Sequence, residues 1–125
     1  MALFWTDSVI VGCSNVEAAK QWWIAVFDCK QVKLPGWDNP LPSDVALKLS
    51  GADAANILLC DRSEVEKAGI QMPDRPIIFC DKLQKVYDYL VGKGASPGPV
   101  QDGGDTQFFE VRDPEGNVIE ICKEP

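Results

Sequence analysis

One stretch of the chain, residues 106–122, constrains the fold more strongly than any other part of the sequence. In this stretch, two runs that alternate apolar and polar residues flank a five-residue turn. Pro114 presets the backbone φ angle of the turn, and Gly116 can adopt the positive φ angle that follows. The stretch therefore predicts a β-hairpin.

Alternation along the hairpin assigns its side chains to two faces, because successive side chains of a strand point to opposite sides of the sheet. One face is apolar and is predicted to pack under a helix; it carries Phe109, Val111, Ile119 and Ile121. The other face mixes apolar, charged and thiol groups; it carries Phe108, Glu110, Arg112, Val118, Glu120 and Cys122. This mixture suits the floor of a pocket as well as an exposed sheet face, and the pattern alone does not decide between them.

The order strand, helix, three strands is predicted twice along the chain. In the first half, a β-branched run at residues 8–13 precedes a helix whose N-cap is Ser14 or Asn15. In the second half, the apolar run 77–80 precedes a helix whose N-cap is Asp81. Each helix carries an apolar stripe at helical spacing, so we expect both to pack on a sheet.

The two halves of the sequence look like copies of one unit. Asn56 and Asn117 each open the last strand of their half, and they are separated by about half of the chain length, as are the two helix caps. With 125 residues, the chain has the length of a single domain. Within it we expect a first unit at residues 1–62, a linker with a short helix at 62–75, and a second unit at 76–125.

The turn of the hairpin resembles a known family signature. Residues 113–120 read Asp-Pro-Glu-Gly-Asn-Val-Ile-Glu, which is similar to the closing signature of the vicinal oxygen chelate superfamily. Glyoxalase I, bleomycin-resistance proteins and extradiol dioxygenases belong to this superfamily. The resemblance implies an α+β fold in which two βαβββ modules form a cupped, mostly antiparallel sheet with the helices outside. It also implies a homodimer, since modules of the superfamily often pair across subunits.

Composition excludes several classes of function. The net charge of −7 argues against a surface for nucleic acid or an anionic membrane, because phosphate binding needs clustered Lys and Arg. No run suits a membrane span and the start of the sequence lacks a signal peptide, so we expect a cytoplasmic protein. The five cysteines lack a Cys-x-x-Cys motif and are typical of reduced, buried thiols. The chain has no histidine, which excludes Ser-His-Asp and Cys-His catalysis.

The resemblance also allows a test for a metal site. Metal-dependent members of the superfamily bind a divalent ion through residues of the first and last strand of each module. Matching strand by strand places at these positions Ser8, Leu59, Pro76 and Glu120. Only Glu120 can bind a metal well, and a catalytic divalent ion typically needs three protein ligands. We therefore expect no metal and no other cofactor. The alternative is an atypical zinc site formed by Glu120, Glu110, Cys80 and Cys122.

Without a metal, the cup is a concave, mainly apolar cavity of the kind that binds small molecules. The proline-rich loop 35–43 carries Trp37, which either covers the pocket mouth or caps the sheet edge. Phe108 offers a second flat surface, and Arg112 could contact an anion at the rim. The carboxylates of Glu110 and Glu120 favour a cationic ligand. The predicted ligand-binding residues are Trp37, Leu59, Ile78, Cys80, Phe108, Glu110, Arg112 and Glu120.

Three functions are compatible with this site. The first is a metal-free small-molecule-binding protein that resembles bleomycin-resistance proteins, with a cationic or aromatic ligand. The second is a glyoxalase-like lyase, isomerase or dioxygenase that uses an atypical metal site or acid–base catalysis by Glu120 or Glu110. The third is an interaction protein that assembles through its sheet.

Overall fold

The computed structural model describes residues 4–6, 9–32, 45–52, 55–69 and 75–124. Trp37 and Ser8 lie outside these residues. The described residues form three helices, α1 (Val16–Phe27), α2 (Arg62–Lys67) and α3 (Leu83–Gly92). They also form nine strands, which are β1 (Phe4–Trp5), β2 (Val9–Cys13), β3 (Lys30–Val32), β4 (Val45–Lys48), β5 (Ile57–Asp61), β6 (Ile77–Cys80), β7 (Gln101–Asp102), β8 (Gln107–Arg112) and β9 (Val118–Lys123).

The described strands form two sheets with the same internal plan. One sheet has the order β2-β5-β4-β3, and the other has the order β1-β6-β9-β8-β7. In both, the strand before the long helix runs parallel to the last strand, β2 with β5 and β6 with β9, whereas the hairpin pairs are antiparallel. We call β2, α1, β3, β4 and β5 module 1, and β6, α3, β7, β8 and β9 module 2. The predicted α+β fold with two βαβββ modules is confirmed.

The short strand β1 departs from the duplicated pattern. Phe4 and Trp5 pair antiparallel with Cys80 and Phe79 of β6, although the chain reaches them before any strand of module 1. The hydroxyl of Thr6 continues this contact by donating to the carbonyl oxygen of Ile77 at 2.8 Å. The start of the described chain is therefore part of the module 2 sheet.

Local sequence explains where the helices begin. Asn15 is the N-cap of α1, since its Oδ1 accepts a hydrogen bond from the N–H of Ala18 at 3.0 Å. Asp61 caps α2, which confirms the short helix predicted in the linker. The predicted cap of α3 is wrong: Lys82, not Asp81, occupies the N-cap position, because the strand β6 ends at Cys80 and the chain uses both following residues to turn.

The helices α1 and α3 bury the apolar faces of the sheets in one hydrophobic cluster. Phe27 of α1 stacks on Trp23 with ring centroids 4.8 Å apart, and it meets the ring of Phe4 edge-on at 5.5 Å. The ring of Phe4 also lies 5.9 Å from Tyr89 of α3. Phe4 therefore contacts the long helix of each module, and burial of such aromatic side chains is the main stabilising contribution of the cluster. None of the helices in the described ranges is long and apolar enough to cross a lipid bilayer.

The turn that resembles the superfamily signature connects module 2 to module 1 through Glu115. Its Oε1 accepts a hydrogen bond from the N–H of Ser14 at 2.6 Å, and its Oε2 accepts one from the N–H of Asn15 at 3.1 Å. Both donors lie at the N-terminus of α1, where the helix dipole favours a negative charge. Desolvation acts to raise the pKa of Glu115, but these hydrogen bonds outweigh it and hold the pKa below its usual value. The carboxylate of one module thus caps the helix of the other.

A second contact beside Glu115 involves Asn117. Its Nδ2 donates to the carbonyl oxygen of Gly12 in β2 at 3.2 Å, and its Oδ1 accepts a hydrogen bond from Arg62 at 2.8 Å. The buried carboxylate of Asp113 holds the turn in shape by accepting from the N–H groups of Glu115 and Asn117. We call the contacts of Glu115 and Asn117 with module 1 the intermodule clasp. The signature residues 113–117 therefore have a structural role in this chain.

Candidate functional site

The apolar face of the hairpin is buried, as predicted: Phe109, Val111, Ile119 and Ile121 belong to the core cluster. The opposite face of the module 2 sheet lies away from α3, and we call it the open face. The strand register brings onto it Trp5, Ile77, Phe79, Phe108, Glu110, Arg112, Val118, Glu120 and Cys122.

One row of side chains across the open face is apolar and largely aromatic. Trp5 pairs with Phe79, Phe79 with Cys122, and Cys122 with Phe108 in successive strand pairs. The three aromatic side chains are partly exposed, whereas Cys122 is buried between them. Partly exposed aromatic rings on neighbouring strands offer a flat apolar surface of the kind that lines ligand sites.

The next row contains two facing carboxylates. Glu110 of β8 and Glu120 of β9 are direct cross-strand partners, and Ile77 of β6 is the partner of Glu120 on the other side. Ile77 is 38% exposed, although it is a large apolar residue. Like charges that lie directly opposite each other destabilise a sheet unless other groups compensate them. The two carboxylates of this row have different partners.

Arg75 compensates Glu110. Its guanidinium forms an ion pair with Oε2 of Glu110, and the two side chains are 48% and 26% exposed, respectively. Arg112 is the predicted cation of the site, whereas Arg75, which lies in the predicted linker, is not among the predicted ligand-binding residues. Arg112 donates instead to the carbonyl oxygen of Gly116 at 3.4 Å, at the turn end of the open face. The position of Arg75, two residues before the open-face residue Ile77, is the sequence signal that could have identified it.

Glu120 has a neutral partner. Its Oε1 accepts a hydrogen bond from the thiol of Cys122 at 3.3 Å, and among the described residues it forms no ion pair. Burial, followed by the hydrogen bond to Glu120, raises the pKa of Cys122 to about 12. The thiol therefore stays protonated near neutral pH and acts as a hydrogen-bond donor, not as a nucleophile.

Three of the predicted ligand-binding residues do not lie on the open face. Leu59, Ile78 and Cys80 are fully buried in the core cluster on the helix side of the sheets. Ile78 pairs with the core residue Ile121 in the parallel register of β6 and β9, so alternation directs it away from Glu120. Phe108, Glu110, Arg112 and Glu120 do share the open face, whereas Trp37 lies outside the described residues.

The described residues at the predicted metal-binding positions fit a divalent ion poorly. Leu59 is a buried hydrocarbon, Pro76 has no donor in its side chain, and Glu120 offers a carboxylate, whereas Ser8 lies outside the described residues. In the part of the chain that the structure describes, no group of three or more His, Cys, Asp or Glu side chains is arranged to hold a metal ion. The predicted alternative, a zinc site that combines Cys80 with the open-face residues, is therefore not formed, because Cys80 lies in the core.

Comparison with known proteins gives a clear result for structure and none for sequence. No protein-family model and no curated protein sequence matches this chain. TnmS3, an antibiotic binding protein from Streptomyces sp. CB03234, matches the structure with a TM-score of 0.71 at 18% identity, over 100% of this chain and 99% of that one.

Two further solved structures match as well. A member of the glyoxalase/bleomycin resistance protein/dioxygenase superfamily from Sphaerobacter thermophilus DSM 20745 has a TM-score of 0.71 at 18% identity, over 96% of this chain and 97% of that one. Lactoylglutathione lyase from Agrobacterium tumefaciens has a TM-score of 0.69 at 18% identity, over 94% of this chain and 92% of that one. At these identities the comparison establishes a shared fold.

Proposed function

Since the chain has the paired βαβββ fold of the vicinal oxygen chelate superfamily, we propose that it is a metal-free protein that binds a small molecule on its open face. The observation that carries this proposal is Glu120, a carboxylate without an ion-pair partner among the described residues, beside a row of partly exposed aromatic side chains. Such a site favours a ligand with a flat apolar part and a positive charge.

Each part of the ligand has a proposed partner on the open face. The aromatic row and the exposed side chain of Ile77 contact the flat apolar part. Glu120 binds the positive charge, and the hydrogen bond from the thiol of Cys122 holds the carboxylate of Glu120 in position. Arg112, at the turn end of the face, is the proposed contact for an anionic substituent. We further propose that Trp37 covers the bound ligand.

A protein with the same fold supports a binding function. TnmS3 is an antibiotic binding protein, and its match covers all of this chain. We also propose that the protein is cytoplasmic and that it binds the ligand as a homodimer. Acid–base catalysis by Glu110 gains no support from the site, since Arg75 holds that carboxylate in an ion pair.

The test uses a planar aromatic cation and a neutral compound of similar size. We expect the protein to bind 9-aminoacridine more tightly than acridone at pH 7 in a fluorescence titration. Glu120→Gln should weaken binding of 9-aminoacridine by about three- to tenfold and leave binding of acridone unchanged, because only the cation interacts with the lost charge. Glu66→Gln, which removes an exposed carboxylate on α2, is the control.

Two outcomes would contradict the proposal. If neither compound binds, the open face is not a site for aromatic ligands. If Glu120→Gln and Glu66→Gln weaken binding of the cation equally, the effect arises from the net charge of the protein and not from contact with Glu120.

A further inference from the structure

We propose that Arg75 is an internal counter-ion that sets the charge of the ligand: its guanidinium neutralises Glu110, so that the open face accepts one positive charge, at Glu120. This inference rests on the proposed function for the identity of the site, and it adds a specificity-determining residue to it. It also accounts for the misfit with a divalent metal, since a protein cation already lies beside the facing carboxylates.

The backbone fixes Arg75 beside the strand that carries Glu120. The carbonyl oxygen of Pro76 accepts a hydrogen bond from the N–H of Glu120 at 2.9 Å, so the chain next to Arg75 is held against β9. In the sheet order, β9 lies between β6 and β8. The guanidinium of Arg75 must therefore cross β9 to reach Glu110 on β8. A positive charge lies across the strand of Glu120 as a result.

The charges of the site follow from this geometry. Glu110 and Glu120 face each other and would together attract a dication or a divalent metal ion. Arg75 cancels one of these charges, and the partner of Glu120 is a neutral thiol. Arg112 lies in the next row of the open face, at its turn end, so a ligand with one positive charge beside Glu120 balances that carboxylate. A second positive charge there would be repelled by the guanidinium of Arg75.

Two substitutions that break the same ion pair from opposite sides separate this role from a structural one. Arg75→Gln leaves two uncompensated carboxylates, and Glu110→Gln leaves an uncompensated guanidinium beside Glu120. We expect Arg75→Gln to raise and Glu110→Gln to lower the affinity for 9-aminoacridine, and Arg75→Gln to raise the affinity for the dication quinacrine by a further factor of about ten. Lys85→Gln, which removes an exposed positive charge on α3, is the matched control.

A second measurement does not depend on aromatic ligands. Arg75→Gln should gain affinity for Mn²⁺, measured by electron paramagnetic resonance, relative to the unchanged protein, Lys85→Gln and Glu110→Gln. Adding Glu120→Gln to Arg75→Gln should remove this gain, because one carboxylate of the pair is lost.

The outcomes separate the two proposals. If neither acridine binds to any variant but Arg75→Gln gains Mn²⁺ affinity, the proposed function fails and the counter-ion role of Arg75 stands. If Arg75→Gln and Glu110→Gln change binding in the same direction, or if Arg75→Gln gains neither quinacrine nor Mn²⁺ affinity, Arg75 is not a counter-ion that sets the charge of the ligand.

Discussion

Replacing Glu115 with alanine removes the helix cap that module 2 provides for module 1. The carboxylate accepts hydrogen bonds from the N–H groups of Ser14 and Asn15, which have no acceptor within α1. Among the described residues, the side chain of Asn15 accepts a hydrogen bond only from the N–H of Ala18, so it does not replace Glu115. The substitution therefore leaves two donors at the helix N-terminus without a protein partner and weakens the intermodule clasp.

The expected loss can be worked out from these contacts. A hydrogen bond to a charged group contributes about 1.5–3 kcal/mol to stability, and we count about 1 kcal/mol for each of the two because both donors are exposed to water. The total of about 2 kcal/mol includes the favourable effect of the helix dipole. With an unfolding entropy of about 2.1 cal/mol/K per residue, the melting temperature of a chain of this length falls by about 8 °C.

Thermal unfolding followed by circular dichroism at pH 7 measures this loss. Glu17→Ala is the control. Glu17 lies in the first turn of the same helix, and among the described residues its carboxylate pairs only with Lys20 and Gln21 of that helix. We expect the control to melt close to the unchanged protein, since an exposed pair within one helix contributes little to stability.

The pH dependence of the difference tests the mechanism. Because hydrogen bonds hold the pKa of Glu115 below its usual value of 4.5, the contribution of its charge is complete above that pH and is lost as the pH falls through the lowered pKa. The difference between Glu115→Ala and the unchanged protein should therefore shrink in acid. A melting temperature within about 2 °C of the unchanged protein at pH 7, or a difference that is the same at pH 3, would refute the reasoning.

Two further predictions concern the core. Phe27→Ala should lower the free energy of unfolding, measured in urea, by about 3–5 kcal/mol, because Phe27 is fully buried. Val91→Ala, at a position that is 51% exposed, should change it by less than about 0.5 kcal/mol. Similar losses for both variants would contradict the assigned core. All five cysteines are buried, and burial raises the pKa of Cys80 to about 11 and that of Cys13, Cys29 and Cys122 to about 12. The native protein should therefore react slowly with Ellman's reagent at pH 8 and the unfolded protein should expose every thiol; one rapidly reacting thiol in the native state would argue against this arrangement.

Patterns that depend on neighbouring residues predicted the fold well. The alternation in residues 106–122 assigned Phe109 and Ile119 to the core and Glu110 and Glu120 to the opposite face, because the two faces of a strand are fixed by its own geometry. The pairing of β1 with β6 could not be read in this way. Two residues are too few to show a period, and their partner strand lies far along the chain.

The positions of the predicted site residues on the sheet were harder to read from the sequence than the fold, for two different reasons. Ile78 and Cys80 are predicted to line the pocket but are buried in the core, and a shift of one residue in the assumed register of a strand moves every side chain to the other face. The spacing of Arg75 from Ile77 indicates its side of the sheet, but the sequence does not show that its long side chain reaches across β9 to Glu110.

The intermodule clasp has a consequence for the order in which the protein acquires its structure. Ser14 and Glu115 are 101 positions apart, and a ribosome makes the earlier residue first. While module 1 emerges, the acceptor for the first N–H groups of α1 and the β6 partner of Phe4 have not yet been synthesised. Contacts between such distant residues also form slowly, since closing the long loop between them costs conformational entropy. The first half of the chain therefore completes its fold only after the final hairpin has been made.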